Sequence, residues 1–130
     1  MKKIIVFISV LFSALLMNSC QTKEETRISY EVGTSSMNLT SLEDLYNWTI
    51  IQGAYTNEIS KLGFKKESNS YFTATGFADE CDDLVLSACK VAEASVSDRT
   101  LEGYATIEVK ATYWNNAGTE VIYSHSFGNK

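Results

Sequence analysis

The sequence predicts an α+β protein: a two-layer sandwich with two helices on one face of a mostly antiparallel sheet that ends in a C-terminal hairpin. Three observations predict it. Two long segments, residues 41–63 and 79–99, carry apolar residues at three- and four-residue intervals, the period of a helix with one buried face. Short runs rich in β-branched and aromatic residues precede each of them. The last part of the chain holds two alternating runs around the turn-forming residues Asn116, Ala117 and Gly118. In chain order the elements read β-α-β-α-β-β.

The first strand is RISYEV, where Ile28, Tyr30 and Val32 alternate with Arg27, Ser29 and Glu31, the period of two expected of a half-buried strand. The following GTSSMNLTS reads as a loop of small polar residues. Thr40 then caps the first helix, with Glu43 three residues on in a capping-box arrangement. Leu42, Leu45, Trp48, Ile51, Tyr55, Ile59 and Leu62 form its apolar stripe. Gly53 reads as a point where another element crosses closely. Gly63 is the left-handed stop, with Phe64 folding back on Ile59.

FKKESNS reads as a polar turn and YFTATGF as a short strand. The second helix opens on Asp79, Glu80, Asp82 and Asp83, whose carboxylates complement the helix dipole, and closes near Arg99. Its inner line is Cys81, Val85, Ala88, Ala92 and Val96, small enough to let it lie close against a sheet. In the hairpin, a three-residue loop with Gly118 in the left-handed position sets Tyr113 opposite Val121, Ala111 opposite Tyr123, Val109 opposite His125 and Ile107 opposite Phe127. That pairing gathers one mostly apolar face, and a one-residue slip would scatter it.

The N-terminus carries a different kind of signal. Lys2 and Lys3 precede an apolar run over residues 4–17, then Asn18 and Ser19 lead to Cys20. The run covers every helix face and is short for a membrane span, which fits an export signal. With Cys20 at the boundary, the segment resembles a bacterial lipoprotein signal. That resemblance implies cleavage before Cys20 and lipid attached to it, with acyl chains holding the chain on a membrane. CQTKEE, with its lysine and glutamates directly behind the cysteine, resembles the surface-export signal of bacteroidete-type lipoproteins and implies the outer membrane and the cell surface; the periplasmic side is the alternative. The resemblance covers residues 1–25 and reaches no further. The organisation is therefore a cleaved signal at 1–19, a lipidated tether at 20–26 and one α+β domain at 27–130.

Composition sets limits on partners. The signal takes two of the eleven basic residues and none of the sixteen acidic ones, so the remainder has a net charge of about −7. A domain this acidic is a poor nucleic-acid binder, because neutralising phosphates takes Lys and Arg. The chain has no proline.

Each candidate chemistry has a plainer reading beside it. The carboxylates at 79–83 lack the spaced ligands of a calcium loop and read as solvated dipole partners. Cys81 and Cys89 on one helix lie about 12 Å apart, beyond the roughly 7 Å that a disulfide spans. They read as reduced, buried thiols. His125, the only histidine, falls on an apolar strand face between Tyr123 and Phe127 with no nucleophile motif to accompany it. No catalytic residue, metal or cofactor is therefore assigned. Trp114, Tyr104 and Ile122 fall on the polar side of the hairpin, where exposed aromatics favour an interface. The expected function is a lipid-anchored envelope binding or interaction module (accessory, adaptor or inhibitor-like) without its own catalysis. Its partners are the membrane, through the lipid, and an envelope protein or a second copy in a homodimer. The alternative is a small envelope hydrolase or metal-dependent enzyme using His125 or the acids at 79–83.

Overall fold

The computed structural model describes residues 25–115 and 118–128; the expected export signal, Cys20 and the tether as far as residue 24, Asn116 and Ala117 of the hairpin loop, and residues 129–130 lie outside the described residues. Glu25 and Thr26, expected in the tether, already pair with Phe77 and Gly76 in the sheet. The elements are β1 (Glu25–Asn38), α1 (Leu42–Ser60), β2 (Lys65–Ser68), β3 (Tyr71–Phe77), α2 (Ala78–Ser95), β4 (Tyr104–Tyr113) and β5 (Gly118–Gly128). The strands form one sheet in the order β2-β3-β1-β4-β5, with every neighbouring pair antiparallel. The helices pack on each other and on one face of this sheet, the α+β sandwich that the alternation of patterns predicts.

β1 is the central strand because its alternation supplies a fully buried face. Ile28 and Tyr30 are completely enclosed, and Ala105, Ile107, Val109 and Ala111 of β4 continue the same surface. From the helices come Trp48, Ile51, Tyr55 and Ile59, and the small residues Ala88, Cys89 and Ala92. Each large apolar side chain buried this way contributes about 1.5–3 kcal/mol.

Several local expectations change. β1 runs on through the polar stretch to Asn38, because β4 offers it ladder partners past a bulge between Thr34 and Ser36. The segment after Phe64, expected as a turn, holds β2, whose four residues are all exposed. Its charged composition is that of a protected sheet edge rather than of a loop. α1 is capped by Ser41, not Thr40: the Ser41 side chain accepts from the Asp44 amide at 3.1 Å. The stripe of α1 also begins later. Leu42 is 85% exposed and Leu45 52%, while Asp44 takes the inward position above Trp48.

Gly53 meets no neighbour, since a Cβ there would find nothing within 4 Å. Gly63 does adopt the left-handed conformation (φ 84°). Phe64 then packs against the core by stacking on Tyr30, with ring centroids 5.7 Å apart.

The hairpin register differs from the predicted one. Val109 pairs with Tyr123, Ile107 with His125 and Ala105 with Phe127, a shift of two residues. An even shift keeps the same side chains on the core face, so the apolar surface survives. Nearer the turn Lys110 pairs with Val121, and Ile122 is the extra residue of a bulge. Gly118 is not a loop residue; it pairs with Tyr113 as the first residue of β5.

Candidate functional site

Helices cover one face of the sheet, and the opposite face carries the candidate site. The alternation that buries Ile28 and Tyr30 turns Arg27, Ser29 and Glu31 outward on β1. Beside them lie Thr73 and Thr75 of β3 and Lys110 and Thr112 of β4. Trp114, just past the end of β4, folds back over this face. Its backbone N–H donates to the Arg27 carbonyl at 3.0 Å, and its indole N–H donates to Ser29 Oγ at 3.0 Å. The Arg27 guanidinium carbon lies 4.9 Å from the ring centroid, a cation–π contact worth about 0.5–1 kcal/mol at an exposed site. Two contacts therefore hold the indole and a third its backbone, in a residue that remains 55% exposed. Next to it, Glu31, Gly33, Thr34, Glu108 and Lys110 line a shallow depression of about 170 Å³.

The three residues expected to form one partner surface are not together. Tyr104 opens β4 at its other end, roughly 30 Å along the strand from Trp114. Ile122 is on neither stretch of the outer face: the bulge turns it towards the helices, where it packs against the core. Its neighbours Val121, Glu120, Leu86 and Asp83 line a groove of about 410 Å³ between α2 and β5.

On the helix side, two polar clusters join the layers. The Asp82 carboxylate accepts from the Tyr30 hydroxyl at 2.7 Å and from the Tyr113 hydroxyl at 2.5 Å. Burial, and then these bonds to a carboxylate, push both phenols well above the usual tyrosine range. In the second cluster Tyr123 donates to Glu93 at 2.6 Å, and the Tyr55 and Tyr123 hydroxyls lie 2.7 Å apart. Burial and the Glu93 bond push Tyr123 up, while Tyr55 is raised to about 12 mainly by burial. His125 Nδ1 is 3.6 Å from the same Glu93 oxygen, and its ring meets Phe127 edge-on at 4.8 Å. The histidine thus borders the core as its place on the strand predicted. Sequence reasoning missed both clusters, because their members lie 30 or more positions apart.

A third polar cluster is structural. Asp44, 2% exposed, accepts from the backbone amides of Thr40, Glu102 and Gly103 and from the Thr40 hydroxyl. Those donors hold its carboxyl down at about 2 against the opposing effect of burial.

Of the cluster at 79–83, Asp82 is taken up by its tyrosines and Asp79 accepts from the Glu80 amide. Among the described residues, no three His, Cys, Asp or Glu side chains are grouped to hold a metal ion. Cys81 and Cys89 are buried free thiols on one unbroken helix. Burial and neighbouring carboxylates raise both, Cys89 to about 12. No helix among the described residues is long and apolar enough to cross a membrane. Compared with known proteins, the chain matches no family model, no curated sequence and no solved structure.

Proposed function

We propose that this chain is a lipid-anchored interaction module of the bacterial cell envelope, tethered through Cys20 and binding a partner protein at the Trp114 end of its open sheet face. The observation that carries this reading is the fixed, half-exposed Trp114. A rigid aromatic loses little conformational entropy on binding, and such residues anchor interfaces. The resemblance of residues 1–25 to a lipoprotein signal supports the anchor and the outer-membrane, cell-surface address. Four residues lie between Cys20 and Glu25, so the five Cα–Cα steps reach at most about 18 Å. Arg27 and Trp114 are at that end of the sheet, so a lipid on Cys20 keeps this patch close to the membrane and to other anchored proteins. Tyr104 and Ile122 have no part in the patch.

The test is cross-linking on intact cells expressing the native chain. Trp114→Ala is expected to fold normally and to lose capture of an envelope protein that wild type captures reproducibly. Undiminished capture by the variant contradicts the assignment of the patch.

A further inference from the structure

The two edges of the sheet are built differently, and we infer that the free edge of β5 accepts an extended, basic segment of a partner protein as an added strand. This rests on the reading of the chain as an interaction module, but it uses a surface separate from Trp114.

An edge strand exposes a row of unpaired N–H and C=O groups, and folded proteins blunt such edges with brevity, charge or proline. β2 shows two of these devices: it is four residues long, and Lys65, Lys66 and Glu67 fill it. β5 is eleven residues long and carries Glu120 as its only carboxylate, with no Lys, Arg or Pro. It pairs with β4 on one side, and among the described residues no strand lies on the other. Past the bulge at Ile122, the stretch from Tyr123 to Phe127 pairs regularly with β4, which leaves a regular outer row.

Charge complementarity selects the occupant. Glu120 pairs opposite Ala111 and so faces the helix side, where it shares the groove with Asp83, Leu86 and Ile122. Asp83 and Glu120 are both exposed. A strand added along β5 sends alternate side chains towards this side. A Lys or Arg there lays its methylene stem on Leu86 and Ile122 and brings its charge to Asp83 and Glu120. Main-chain bonds then supply attachment, and the groove supplies the preference for basic residues. A second copy of this chain carries a net charge of −5 over its full sequence, and its lysine-bearing edge strand β2 spans only four residues against the eleven of β5.

The test uses a synthetic decapeptide of alternating lysine and valine with the full chain. Its alternating glutamate–valine counterpart is one control, and a version N-methylated at every second residue, which keeps the charge but cannot pair, is the other. The lysine peptide is expected to slow hydrogen exchange at the β5 amides from Tyr123 to Phe127. Both controls are expected to bind at least tenfold more weakly, as is the lysine peptide to Asp83→Asn/Glu120→Gln. Protection at β2 instead of β5, equal binding of the N-methylated peptide, undiminished affinity in the double variant, or no binding at all each overturns the inference.

Discussion

Asp44 and Gly103 meet through a 3.0 Å hydrogen bond from the glycine amide to the carboxylate, joining the first turn of α1 to the approach to β4 across 59 positions of chain. The contact depends on the absence of a side chain. A Cβ on Gly103 would lie 1.9 Å from the Asn38 carbonyl oxygen.

The pH dependence of stability follows from this site. An unfolded Asp titrates near about 3.9, and Asp44 in the fold near about 2. As pH falls the unfolded chain takes up the proton first, so the stabilisation is complete above about pH 5 and is lost as pH drops through about 2. Asp44→Asn is expected to lower the urea midpoint at pH 7 and to flatten its decline between about pH 4 and 2. Urea titrations of both proteins across that range check it; equal slopes would contradict it.

Two glycines separate close approach from idle flexibility. Gly103→Ala is expected to cost about 2–3 kcal/mol, because the Asn38 carbonyl must move. Gly53→Ala, mid-helix and in open space, is expected to stabilise by about 0.5–1 kcal/mol. Chemical denaturation of the two variants reads both signs.

At high pH the tyrosines are the weak point. Unfolded phenols ionise near about 10, whereas Tyr30, Tyr113 and Tyr123 are held well above that and Tyr55 titrates near about 12. Their contribution is complete below about pH 10 and is lost as pH rises, since the unfolded chain releases those protons at lower pH than the fold does. Tyrosinate absorbance from these four is expected to appear together with loss of the near-ultraviolet circular dichroism signal. Ionisation well before unfolding would refute the assignment. At neutral pH, Tyr30→Phe removes one of the two donors to Asp82 and is expected to cost about 1.5–3 kcal/mol.

Cys81 and Cys89 should be inert in the fold. Both are buried, and Cys89 stays protonated to about 12. A thiol reagent at pH 8 is expected to modify neither in the native protein and both in urea. Rapid native modification would show that α2 opens more readily than its packing implies.

The alternation of Ile28, Tyr30 and Val32 and the spacing of Trp48, Ile51, Tyr55 and Ile59 make the buried faces of β1 and α1 legible from sequence alone, because each pattern is local. Asp44 is not legible in this way. A carboxylate in a first turn looks like a solvated dipole partner, and beside the local Thr40 amide two of the three amides that justify its burial come from residues 102 and 103. β2 is hidden because the charges that protect an edge also make a segment look like a turn. The bulge at Ile122 leaves no mark in composition, yet its extra residue moves that side chain from the expected outer surface to the groove. For Trp114, exposure can be read from the hairpin pattern. The bond to Ser29, 85 positions away, cannot.

The most direct test of the proposed function places a photo-reactive amino acid at position 114, and at the exposed Leu42 as a control, in the chain expressed in its native cells. Position 114 is expected to yield one reproducible cross-linked envelope protein, absent from the Leu42 control and lost when Cys20→Ala removes the anchor. No product at 114, or the same product from both positions, would contradict an anchored module that binds through its open sheet face.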